Sequence, residues 1–219
     1  MSRPSAPITL FTFSLSGHAH RAQLMLSLLE LPHRLVEVDL RRGEHQTPEF
    51  LARNAFGQVP VIEDGDFTLA DSNAILVYLA QRYDADHRWL PADLRLQAEV
   101  VRWLGVAAGP LHRGPAIARW TRISGQGDGT AQHAMARQLF ERVEQHLQVR
   151  NWLVDNAPTI ADVAMYSYTA HAPEGGIPLE PYPRLRGWLA RIEALPGFVP
   201  MRATPTPTST PTPTPTPVS

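Results

Sequence analysis

One proline restricts this chain more than any other residue. Pro60 heads a β-rich run, Val59-Pro60-Val61-Ile62-Glu63, and Asp64-Gly65-Asp66 separates it from a second run, Phe67-Thr68-Leu69-Ala70. Proline brings no amide hydrogen, so a sheet admits it only at a strand start, a bulge or an edge. Asp-Gly between two such runs signals a tight hairpin. The segment reads as an antiparallel hairpin entered through Pro60. A cis bond at Val59-Pro60 would turn the Val59 N–H and C=O outward, free to pair with an extended ligand.

The surrounding segments give that hairpin a place. Residues 8–13 (ITLFTF) are β-rich and apolar, and residues 34–39 (RLVEVD) alternate as a strand does. Between them Ala22, Met25, Leu26 and Leu29 recur at helical spacing, with Pro32 just beyond. Thr47 and Pro48 open a short helix over residues 47–52. Residues 72–83 form another, with Ile75, Leu76, Leu79 and Tyr83 along one side. The order is β-α-β-α-β-β-α. Two strands joined through a helix should pair in parallel, and the hairpin adds an antiparallel edge.

Beyond residue 84 the texture changes. Residues 85–92 (ADHRWLPA) read as a linker, with Trp89 and Leu90 packed against a neighbour. Residues 93–202 are almost wholly helical in pattern. Leu96, Val100, Trp103, Leu104 and Ala107 line one helix; Ala136, Leu139, Phe140, Val143 and Leu147 line another; Leu185, Trp188, Leu189 and Ile192 mark a last one. Thr159-Ile160-Ala161-Asp162 reads as a capping box with Asp in place of the usual Glu, opening a helix apolar enough to cross the core. Residues 203–219 alternate Thr and Pro, which rules out helix and sheet and predicts an extended, disordered tail. The domains are therefore residues 6–84 and 93–202, followed by the tail.

Composition removes several functions. The net charge of −1 gives no general pull toward nucleic acid or anionic membrane. The absence of cysteine excludes disulfides, thiolate metal sites and a cysteine nucleophile. No apolar run reaches the roughly 20 residues that span a bilayer. The start of the chain lacks the pattern of a secretory leader. The default is a soluble cytoplasmic protein.

Three elements around the hairpin point to a ligand. Besides Val59-Pro60, Asp71-Ser72 opens the helix over 72–83, and helix N-termini attract anions. Ser72 suits an α-carboxylate and Asp71 an α-ammonium, although an N-cap alone also explains Asp71. His45, in Arg41-Arg42-Gly43-Glu44-His45, suits a second carboxylate, although solvent exposure also explains it.

Their order and spacing resemble the N-terminal half of the glutathione transferase family. The resemblance runs through residues 54–66 (NAFGQVPVIEDGD) and 69–75 (LADSNAI), with Asp71 where members usually carry Glu. Thr159, Ala161 and Asp162 resemble the family's capping box, and Leu195-Pro196-Gly197 the end of its last conserved helix. The likeness covers about residues 8 to 200. It implies an α/β thioredoxin-like N-terminal domain followed by an all-α domain. It also implies glutathione as co-substrate, no metal, and a homodimer. By resemblance Val59, with Pro60 cis, pairs with the cysteinyl part of glutathione. Asp71 and Ser72 hold the γ-glutamyl end, and Gln58 and His45 the glycyl end.

Such chemistry needs an ionised thiol. A free thiol has a pKa near ~8.5, and making it a hundredfold more acidic takes about 2.7 kcal/mol. A hydroxyl at a helix N-terminus favours the anion by hydrogen bond and dipole. Ser16, in Phe13-Ser14-Leu15-Ser16-Gly17-His18, falls where serine-type members place that hydroxyl; Ser14 is the alternative and His18 a candidate helper. His18 and His20 lack a third ligand for a metal. Leu111-His112-Arg113-Gly114 resembles a His-Lys pair near the site of beta-class members, a solvated helix end being the plain alternative. Trp120 joins His112 and Arg113 as a candidate for the acceptor pocket. The expected activity is conjugation of glutathione to small hydrophobic electrophiles. Other glutathione-dependent chemistry (dehalogenation, isomerisation, peroxide reduction) and a non-catalytic binding role remain as alternatives.

Overall fold

A computed structural model describes residues 3–204. Of the Thr-Pro repeat only Ala203 and Thr204 fall within it; the extended tail expected beyond lies outside the described residues. Strand β1 (Ile8–Thr12) leads into helix α1 (Gly17–Leu28) and strand β2 (His33–Glu37). Helix α2 (Pro48–Arg53), the hairpin β3 (Val61–Asp64) and β4 (Phe67–Ala70), and helix α3 (Ser72–Tyr83) follow.

The sheet order is β2-β1-β3-β4. β1 and β2 run parallel, whereas β1–β3 and β3–β4 are antiparallel. Pro60 stands one residue before the ladder, which starts at Val61, as its missing N–H requires. β2 ends at Glu37, two residues short of the alternating run. Asp39 instead turns the chain, its Oδ1 accepting from the N–H groups of Arg41 and Arg42 at 2.9 and 3.1 Å.

Period-two alternation sends the two sides of the sheet to different cores. Ile8, Leu10 and Ile62 join a large cluster with α1, α3 and the following helices. Phe11 and Val61 pack with Phe50 of α2 on the other side.

Helices α4 (Leu94–Val106), α5 (Ile117–Ser124), α6 (Thr130–His146), α7 (Ile160–Ala170) and α8 (Pro183–Glu193) build the second half. A wide π-helical segment, Ala107–Ala116, joins α4 to α5 without a break. Trp89, buried ahead of α4, accepts at its carbonyl from the Ile160 N–H at 2.9 Å. α7 lies at the centre, against α1, α3, α4, the π segment and α8. Its capping box forms. Asp162 Oδ2 accepts from the Thr159 N–H at 2.8 Å, and Oδ1 from the Leu153 N–H at 3.0 Å and Trp188 Nε1 at 2.8 Å. Among the described residues no helix is long and apolar enough to cross a membrane.

His20 ties α1 to α7. The Val199 carbonyl can only accept, so His20 Nε2–H donates to it at 2.9 Å, and Nδ1 accepts from the Ser167 hydroxyl at 2.9 Å. Burial lowers its pKa to about 4, the Val199 bond opposing and the charges of His171 and Arg21 assisting. Unfolded histidine titrates near 6.5. Between those values the unfolded chain binds the extra proton, so stability present above about pH 6.5 is lost as the pH falls toward 4.

Two outcomes are expected. Asp162→Ala strands three buried donors and should cost roughly 3 kcal/mol or more in urea unfolding. The wild-type unfolding free energy should fall between about pH 7 and pH 5, and His20→Gln should remove about 2 kcal/mol of that fall. An unchanged pH dependence in His20→Gln would refute the assignment.

Candidate functional site

The N-termini of α1 and α3 open into one cavity of about 410 Å³. Its walls bring together His45, Gln58, Val59, Asp71 and Ser72 with His18 and His112. Residues far apart in sequence thus line one cavity.

The Val59-Pro60 bond is cis, and Val59 lines the cavity. The Asn54 side-chain N–H donates to the Gln58 carbonyl at 2.8 Å and holds the approach to that bond. Gly57 makes the neighbouring wall possible. It has φ +60, and a Cβ there would stand 3.0 Å from the His45 carbonyl and 2.6 Å from the Gln46 amide. His45 follows Arg41-Arg42-Gly43 in a single 3₁₀ turn, and its Nδ1 is buried without a protein partner among the described residues.

Asp71 does cap α3: Oδ1 accepts from the Asn73 and Ala74 N–H groups, both at 2.9 Å. The cap reading and the ligand reading coexist, because both bonds fall on one oxygen and the residue remains exposed on the cavity wall. Its φ of +75 carries the chain from β4 into the helix.

The first turn of α1 sorts its histidines. Residues two apart on a helix face different ways. His20 enters the core, and His18 enters the cavity. Ser16 caps α1, its Oγ accepting from the Ala19 N–H at 3.2 Å, which leaves the hydroxyl hydrogen free to donate. Ser16 is half-buried and does not line the cavity, standing two residues before His18, which does. Ser14 lines a separate cavity with Glu37 and Arg41.

Arg21 is the residue that sequence reading passed over. It lines the cavity yet is fully buried, and Nε and Nη2 have no partner among the described residues. Its Nη1 donates to His18 Nδ1 at 2.9 Å and to the Ser72 hydroxyl at 3.3 Å. The guanidinium stands 5.6 Å from the centre of the Tyr168 ring. Burial pulls its pKa down to about 10, leaving it charged at neutral pH. The missed signal was a lone permanent charge, Arg21 being the one Lys, Arg, Asp or Glu in α1.

Arginine has no acceptor, so this bond fixes the tautomers of two histidines. His18 Nδ1 must accept, which leaves the hydrogen on Nε2. That atom lies 3.2 Å from His112 Nδ1 and donates to it. His112 then carries its hydrogen on Nε2. Burial, Arg21 and His112 hold the His18 pKa well below its usual value, and burial, Arg21 and Arg113 lower that of His112. Both rings are neutral at neutral pH.

His112 reaches His18 because it lies mid-way along the π segment, not at a solvated helix end. Pro110 and Pro115 lack N–H groups, and the widened turns absorb them. Arg113 and Trp120 stay outside the cavity lining. Arg113 is exposed, and Trp120 on α5 is 55% exposed. Trp103, by contrast, is core.

Comparison with known proteins agrees with this geometry. The family model described as "Glutathione S-transferase, N-terminal domain" matches residues 6–81, and "Glutathione S-transferase, C-terminal domain" matches 130–196. Human glutathione S-transferase theta-2 is 33% identical over 177 residues, covering 76% of this chain and 72% of that protein. Mouse theta-1 is 33% identical over 178 residues, 76% and 74% of the two chains. The crystal structure of a glutathione S-transferase from Pseudomonas fluorescens superposes with a TM-score of 0.84 at 32% identity, covering 90% of this chain and 99% of that one. A possible glutathione transferase from Rhodopseudomonas palustris gives 0.82 at 33%, covering 91% and 100%. With its thioredoxin-like sheet, its helical second half and these relatives, the chain belongs to the glutathione S-transferase family of enzymes.

Proposed function

We propose that the cavity binds glutathione and that Ser16 ionises its thiol for attack on small hydrophobic electrophiles. The observation that carries this reading is the convergence of two helix N-termini and the Val59 edge on one cavity. The tripeptide lies with its α-ammonium at Asp71 and its α-carboxylate at Ser72 and the N-terminus of α3. The cysteinyl backbone pairs with Val59. His45, with its unpartnered Nδ1, and Gln58 take the glycyl carboxylate. The sulfur then faces the α1 turn, where the Ser16 hydroxyl donates to it and the helix dipole favours the anion.

Arg21 adds a positive charge close by, in a setting too dry to screen it. His112, its Nε2–H directed by the Arg21–His18 relay, stands on the acceptor side with Ala108. Arg113 and Trp120, outside the lining, are left without a part in the acceptor pocket. The reading takes the protein as a cytoplasmic homodimer serving detoxification, the form usual in the family. Residues 6–84 would bind glutathione and residues 93–202 the acceptor.

The test compares wild type with Ser16→Ala in glutathione affinity and in conjugation of a general aryl halide. Affinity should stay within about threefold while turnover falls about a hundredfold, the loss typical of one donor to a developing charge. Wild type that fails to bind glutathione would overturn the whole reading. Undiminished turnover in Ser16→Ala would pass the role to the His18–His112 pair.

A further inference from the structure

Arg119, on α5, is only 3% exposed, and each arm of its guanidinium meets an acceptor from a different stretch of chain. Nε donates to Glu174 Oε2 at 2.6 Å, Nη2 to Thr204 Oγ1 at 2.7 Å, and Nη1 to the Leu15 carbonyl at 2.7 Å. Leu15 immediately precedes Ser16. The Leu15 carbonyl and the Ser16 N–H belong to one planar peptide unit. The Ser16 N–H donates to the Phe13 carbonyl at 2.8 Å. That plane is therefore held at both edges, one by the turn itself and one by the second domain.

The fork is itself held rigid. Glu174 Oε1 accepts from His171 Nδ1 at 2.6 Å, and Oε2 also accepts from the Thr204 hydroxyl at 2.5 Å. Burial alone would raise the Glu174 pKa, but the bonds from Thr204, Arg119 and His171 outweigh it and bring it to about 2. A Cβ on Gly175 would stand 2.7 Å from the Arg119 backbone nitrogen, so the Glu174 segment rests directly on α5. Seven residues before Arg119, the same continuous helix carries His112, which meets His18. One helical rod thus grips the α1 turn at two points, about 10 Å apart along its axis.

We propose that Arg119 is a positioning residue for thiol activation, fixing from the second domain the peptide plane that presents the Ser16 hydroxyl. The proposal rests on the reading of Ser16 as the thiol's donor. Lysine offers one point charge where this site uses a planar three-armed fork, so Arg119→Lys keeps charge and loses alignment.

A double-mutant cycle separates positioning from stability. Arg119→Lys should lower kcat for aryl halide conjugation about tenfold, with the KM for glutathione within about twofold. The ultraviolet titration of the enzyme-bound thiolate should move to higher pH. In a Ser16→Ala background the same change should add less than about twofold, because the group it aligns is gone. Leu185→Ala, a core truncation on α8 away from the Arg119 fork and the cavity lining, should lower the thermal midpoint and keep kcat within about twofold. Equal losses from Arg119→Lys in both backgrounds, an unmoved thiol titration, or a kcat that simply follows the thermal midpoint would overturn the proposal. Wild-type turnover in Ser16→Ala would overturn the reading beneath it and the proposal together.

Discussion

The fold hangs on one buried carboxylate. Asp162 receives the Thr159 N–H, the Leu153 N–H and the Trp188 indole N–H, so the start of α7, the loop before it and α8 share one fixed point. An ionisable group survives in such a place because its acceptors are taken up by donors. α7 then carries that fixity to the site. One turn and a half along it, Ser167 bonds His20, and the Tyr168 ring lies where any side chain at Gly17 would be, 2.7 Å away. The first turn of α1, which carries His18 into the cavity, is thus packed from the helical domain rather than from the sheet.

Arg21 is the opposite case. Its charge is buried with two nitrogens unpartnered and no carboxylate in salt-bridge contact among the described residues, Asp71 acting on it only from across the cavity. Burying a cation without a counterion is costly. Its place next to His18 and Ser72 puts that cost at the cavity wall where the proposed function seats an anionic ligand. The surrounding histidines stay neutral chiefly because burial disfavours their charged form, and the charge of Arg21 adds to that.

Much of this was legible because the signals are local. Pro60, Asp64-Gly65 and Thr159-Ile160-Ala161-Asp162 each state their geometry within a few residues, and they gave the hairpin and the capped core helix. Asp71, Ser72, His45 and Gln58 could be grouped by spacing and family likeness. What stayed hidden depends on distance in the chain. Arg119 meets Leu15 across 104 positions and Glu174 across 55, and nothing near Arg119 announces either. Arg21 looked like one more helix former. Nothing local announces that Pro110 and Pro115 lie inside a continuous helix, because helical periodicity assumes 3.6 residues per turn and a π segment does not keep that count. Trp120 attracted attention as an aromatic, but its helix turns it toward solvent.

The π segment also makes the cavity adjustable. Wherever extra residues are accommodated inside a continuous helix, loss or gain of one residue rotates everything beyond it by about 100°. In this chain His112 lies inside the segment and Arg119 beyond it. A one-residue change in length between Ala107 and Pro110 would redirect the His112 side of the cavity without any substitution at Val59, Asp71 or Ser72 on its other walls.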